Sequence, residues 1–240
     1  MKVIMSRCIQ SRSRHLLNCF IFSIASCITL PVFANGITLG GSRIIYPADA
    51  SQATISLKND SKTATYLIQS WIATPDGNKT RDLIVTPPLY TSAPGNENML
   101  RIMAAGMRPA KDKETLYYFH AKAIPSVAKK GQQENSKGVV IATVAQIKLF
   151  VRPTGLKPVR AEAEKMLAFS RQGAQLRIHN PSPYYLTLTG IRAGAQPVAD
   201  VMVPPGESVL TTLPAGSGST LTWDSVNDYG GLDKGTATLR

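Results

Sequence analysis

Cysteine is almost absent from the 240-residue chain: Cys8, Cys19 and Cys27 are its three, all within the first 27 residues. Nothing downstream can form a disulfide, so the rest of the chain must stabilise itself by burying a core. Histidine is as scarce, with only His120 and His179 beyond His15, and without cysteine these two cannot make a familiar zinc cluster. Motif chemistry is missing as well: there is no G-x-S-x-G elbow, no phosphate-binding loop and no paired-carboxylate signature. The chain is therefore read as no enzyme, with no metal and no cofactor. The formal net charge is +12, yet the basic residues are scattered, and outside the first residues the longest basic run is Lys129–Lys130. Nucleic acid is excluded as a partner on that ground, while acidic groups on proteins fit the charge. Convincing helical periodicity, internal sequence repeats and low-complexity tracts are also lacking.

What is present begins with a leader. Lys2, Arg7, Arg12 and Arg14 precede the apolar run "LLNCFIFSIASCITLPVFA", which ends on the small residue Ala34. A basic start, a short apolar stretch and a small-residue site describe a cleaved secretory signal over 1–34, with Pro31 arguing against a retained membrane anchor. The mature chain then starts at Asn35, is exported, and keeps no integral membrane segment. Its roughly 200 residues suit one large β domain or two of about 100 each.

Short apolar–polar stretches bounded by Gly, Pro, Asn and Asp recur along this length: "SRIIYP", "ATISLKN", "TYLIQSWI", "DLIVTPP", "NMLRIM" and "TLYYFHAKAI". With "VVIATVAQIKLFVRP" (139–153), they match the seven strands of an immunoglobulin-like sandwich. A Pro/Gly-interrupted, charged connection, "RPTGLKPVRAEAEK", leads to a second set: "KMLAFS", "AQLRIHN", "YYLTLTG", "ADVMVPP", "SVLTTLP", "TLTWDSV" and "TATLR". The expected fold is all-β, with one sandwich over 35–153 and a linker plus second sandwich over 154–240.

The 139–153 stretch departs from ordinary strand patterning. A half-buried strand alternates apolar with polar residues, but here both parities are apolar until Gln146, Lys148 and Arg152. An edge strand with that exposure invites pairing with another chain.

Several blocks, in order, resemble one family. "GSRIIYPA", "YLIQSWI", "VTPPLY", "KETLYYFHAKAIP", "IKLFVRP", "NPSPYYLTLTG" and "VNDYGG" are similar to segments of PapD-like periplasmic pilus chaperones, from about Gly36 to Tyr229. The resemblance implies two immunoglobulin-like domains in an L-shaped, boomerang arrangement, working in the periplasm. It implies capture of pilus or fimbrial subunits by donor-strand complementation and delivery to an outer-membrane usher, and it allows a self-capping dimer. The short run between Pro125 and Val139 resembles the family's short-loop branch.

Carried over residue by residue, Val139, Ile141 and Thr143 become the donor side chains, Thr143 departing from the larger aliphatic residue usual there. Val140, Ala142 and Val144 are then expected in the protein's own core. Arg43 and Lys148 become the anchor for a subunit's C-terminal carboxylate, and Glu114, Arg152 and Asp228 an interdomain charge triad. A competing reading is an exported pilus subunit or adhesin built of sandwiches, which fits export and β content but not the two-domain set of blocks. A carbohydrate-active enzyme would need an acid/base pair that the sequence does not announce.

Overall fold

The computed structural model describes residues 36–126 and 140–239. The signal segment and Asn35, the 127–139 stretch on which the short-loop assignment rests, and the donor candidate Val139 all lie outside the described residues.

The chain forms two β-sandwiches. In the first, β1 (Ile37–Leu39), β3 (Ala53–Asn59), β5 (Leu83–Thr86) and β7 (Glu97–Ala104) make one sheet in the order β1-β3-β7-β5. The facing sheet runs β2-β9-β8-β4-β6, with β2 at Arg43–Pro47, β4 at Tyr66–Ala73, β6 at Leu89–Ser92, β8 at Thr115–Pro125 and β9 at Thr143–Arg152. The first strand thus changes sheets between β1 and β2, at Gly40–Gly41. A Cβ on Gly40 would press on the Ser56 hydroxyl, so the chain passes close to β3 at this crossing.

Alternation builds the core. In β8, Tyr117, Phe119, Ala121 and Ala123 point inward, and in β9 Leu149 and Val151 join them with Ile147 packed against the cluster. Ile55, Leu57, Leu100 and Ile102 supply the opposite sheet.

After a short connection, a single helical turn α1 (Arg160–Ala163) leads to the second sandwich. One sheet is β10 (Ala168–Gln172), β11 (Gln175–His179) and β15 (Ser208–Thr212). The other contains β12 (Leu186–Ala193), β13 (Gln196–Pro197), β14 (Val201–Val203), β16 (Thr220–Val226) and β17 (Leu232–Thr238). Its core gathers Leu176, Ile178, Leu188, Ile191, Leu221 and Trp223.

A repeated device underlies both sandwiches. Fully buried Asn59 donates to the carbonyls of Ala64, Ser92 and Ala93 and accepts from the Ser61 amide. Fully buried Asn180 does the same toward Tyr184, Val203 and Pro204, accepting from the Ser182 amide. Each ties a chain turn to the carbonyls of a neighbouring segment, so the donors and the acceptor of the buried amide are all met.

Candidate interdomain cleft and donor strand

Strand β9 is held unevenly. Its β8 side is paired along the whole length, from Thr143 opposite Ala123 to Val151 opposite Thr115. On its other edge β2 pairs in parallel only from Lys148 (opposite Arg43) to Arg152 (opposite Pro47). Among the described residues, Thr143–Ile147 have no neighbour on that edge. Val140, Ile141 and Ala142 precede the ladder and belong to no strand.

The apolar side chains of this half-free stretch are open to solvent: Ile141 is 74% exposed, Val140 51% and Val144 49%, with Ala142 and Thr143 also exposed. The expectation that Val140, Ala142 and Val144 enter the protein's own core is overturned. Core-facing Leu149 and Val151 fix the parity of β9, so odd positions continue the core-facing side and even positions lie on the other. Thr143 therefore belongs to the face that, farther along, fills the sandwich, and Ile141 would share it if the ladder were extended to that residue. Here that face extends past the residues that could cover it.

The even face carries different chemistry. Phe150 is buried not in the first core but against Tyr185 of the second sandwich, ring centroids 5.6 Å apart, with the Arg43 guanidinium 5.9 Å from its ring. Beside it, Arg43 and Lys148, register partners on β2 and β9, enter the cleft between the sandwiches. Arg43 Nη1 donates to the Val226 carbonyl at 2.8 Å, while its Nε is buried without a hydrogen-bond partner. Lys148 Nζ donates to Thr187 Oγ1 at 3.1 Å. Burial, then repulsion by Arg43, pushes the Lys148 amine below its ordinary range. Burial, then Arg160, likewise lowers Arg43, with Asp228 and Glu114 opposing.

The three triad residues come together a few residues away. Arg152 Nε donates to Glu114 Oε1 at 2.7 Å, and its Nη1 and Nη2 donate to Asp228 at 2.6 and 2.7 Å. Glu114 Oε2 accepts from the Tyr185 amide at 2.8 Å. Burial pushes the Glu114 carboxyl up, against the pull of Arg152 and the Tyr185 amide. Burial acts in the same sense on Asp228, but hydrogen bonds and charge from Arg152, with Arg160 and Arg43, outweigh it and hold that carboxyl below its ordinary range. Arg160 was not singled out from the sequence, yet it braces this seam. It pairs with Glu164 at 2.9 Å and donates to the same Val226 carbonyl at 3.3 Å. Its i,i+4 spacing to Glu164 was the available signal.

The two histidines play other parts. His120 stacks on Trp71, ring centroids 4.9 Å apart and 3° from parallel, and His179 Nδ1 lies 3.1 Å from Ser208 Oγ. No cluster able to hold a metal ion occurs among the described residues. No helix among them is long and apolar enough to cross a membrane.

Two immunoglobulin-like sandwiches joined through a charged seam define the class, a two-domain β protein with a strand left half unpaired. Residues 36–157 match the N-terminal domain of the pili and flagellar-assembly chaperone PapD family, and residues 162–237 match the C-terminal domain of the pili assembly chaperone PapD. The chain belongs to this family of pilus-assembly chaperones. It is 41% identical over 200 residues to the probable fimbrial chaperone SfmC of Escherichia coli K12, covering 83% of this chain and 86% of the relative. Among solved structures, the periplasmic chaperone SfaE is 35% identical, with a TM-score of 0.73 over 85% of this chain and all of the other (100%). The Salmonella enterica complex of the SafA pilin with the SafB chaperone is 26% identical, with a TM-score of 0.77, covering 87% of this chain and 99% of that one.

Proposed function

We propose that the protein is a periplasmic chaperone that captures pilus or fimbrial subunits on β9, shields them, and passes them to an outer-membrane usher. One observation carries this reading. Among the described residues, the front half of β9 has a free backbone edge, exposed apolar side chains run from the residues leading into it to Val144, and the free edge ends where two half-buried cations meet. Such an edge is an aggregation hazard in a protein that works alone. As a lent strand it is useful: main-chain bonds give affinity, and alternate side chains fill pockets of the guest. Each large apolar contact contributes ~1.5–3 kcal/mol before the cost of association is subtracted.

In this reading Val139, Ile141 and Thr143 enter the subunit, and Arg43 with Lys148 hold its C-terminal carboxylate. The guanidinium protons of Arg43 not given to Val226 and the remaining ammonium protons of Lys148 are the donors for it. The carboxylate fixes register, because a slip of one residue would both reverse the inserted face and withdraw the charge. The same reading starts the mature chain at Asn35 and divides it between Pro153 and Thr154.

The test is co-purification of subunits from the periplasm with tagged variants, identified by mass spectrometry and checked for folding by circular dichroism. Ile141→Asp should fold normally and capture nothing, since it forces an unpaired carboxylate into an apolar pocket. Lys148→Ala should fold and lose ~2–5 kcal/mol of subunit binding. Normal subunit yield from both folded variants would refute capture by this strand.

A further inference from the structure

We propose that Thr187 is a positioning residue for Lys148, so that the second sandwich determines where a bound carboxylate sits. The proposal rests on the reading of Arg43 and Lys148 as a carboxylate anchor.

A lysine amine carried on a flexible four-carbon stem and partly withdrawn from water needs acceptors to hold one place. Carboxylates lie in the same seam, but their oxygens are engaged. Glu114 is divided between Arg152 and the Tyr185 amide, and Asp228 receives two donors of Arg152. What Lys148 finds instead is the neutral hydroxyl of Thr187, at 3.1 Å, on strand β12 of the second sandwich. Thr187 is itself fixed, paired in register with Met202 of β14 and β-branched, which restricts its side-chain rotamers.

Arg43 is treated the same way. Its Nη1 is held by the carbonyl of Val226, again a neutral acceptor of the second sandwich. Both cations are thus oriented without being neutralised. A hydroxyl takes one ammonium proton and leaves the rest of the donors and the whole charge for an anion. An acidic side chain in its place would make an internal ion pair and compete with the guest. Arg152, by drawing both nearby carboxylates to itself, removes that competitor.

The probe is an N-terminally labelled peptide of alternating valine and threonine with a free C-terminal carboxylate, compared with its C-terminal amide by fluorescence anisotropy. The readout is the preference for carboxylate over amide. Thr187→Val keeps the shape and removes the acceptor, and should reduce that preference about tenfold, the scale of one hydrogen bond to a charged group. Thr187→Ser should restore it, and Thr187→Asp should abolish it by pairing with Lys148. In a Lys148→Met background, Thr187→Val should have no further effect. A carboxylate preference unchanged by Thr187→Val, while Lys148→Met loses it, overturns the positioning role and leaves the anchor standing. A preference that survives Lys148→Met overturns this proposal, and one that survives Lys148→Met combined with Arg43→Met refutes the anchor itself.

Discussion

Arg152 shows why a residue's role can be legible in sequence while its energetics are not. The blocks "KETLYYF", "LFVRP" and "VNDYGG" are enough to pair it with Glu114 and Asp228, and the three do meet. They do not say that the two carboxyls are shifted in opposite directions from their ordinary ranges, because that depends on burial created by residues far away in sequence. Asp228 is held low, so its contribution is present above the unfolded carboxylate value of about 4 and is lost as the pH falls through its lower folded value. Glu114 is raised, so protonating it on acidification works in the opposite sense. Asp228→Asn should therefore reduce the melting temperature by a constant amount at neutral pH, with the gap to wild type closing below about pH 4. A gap that stays constant down to pH 2 would show that the Asp228 charge does not contribute. Asn59 and Asn180 mark the limit at this scale. Their shared Asn-x-Ser pattern is too short to register as a repeat, and only the buried carbonyls around each give it meaning.

At the scale of elements, most strands were legible because five or more residues of alternation leave a period to read, as in β3, β4, β8 and β16. β1 and β13, at three and two residues, carry no period, and α1 is a single turn. The parity of β9 is ambiguous in the sequence for a different reason. With apolar residues on both faces at its start, the front half has no parity of its own. The answer lay downstream, where Leu149 and Val151 alternate with Lys148 and Arg152. In the second sandwich a glycine is fixed by its partner strand: Gly235 of β17 lies opposite Trp223 of β16, and a Cβ there would overlap the indole ring. Gly235→Ala should cost ~1–3 kcal/mol, the usual penalty for overfilling a packed site. Thermal denaturation should register it as a melting temperature several degrees lower; an unchanged value would mean the ring can move aside freely.

For the whole molecule, the seam between sandwiches connects stability to the proposed anchor. Arg152→Ala would leave Glu114, almost wholly buried, and Asp228 close together without the cation they share. Removing one member of such a buried group costs ~3–5 kcal/mol, against ~0–1 for an exposed pair. A lower melting temperature than an exposed-lysine control is expected, together with weaker subunit capture, since Thr187 and Val226 would no longer be held opposite Lys148 and Arg43. Full stability in Arg152→Ala would reduce the seam to surface charge. The seam was legible only in part, because the neutral acceptors of the second sandwich carry no motif that distinguishes them from other strand residues.

The point at which β2 begins to pair with β9 has one more consequence. Among the described residues, one edge of β9 is divided into a filled length and an empty one, and the division falls at Arg43 and Lys148. A guest strand laid in the empty length, with its carboxyl end at those cations, runs in the same direction as β2 and meets it end to end, like the two halves of a cut strand. Such a joint has no room for an overhang: residues appended beyond the guest's carboxylate would run into the backbone of β2. The chaperone would then act as a gauge of length, accepting a chain for where it stops as much as for what it contains.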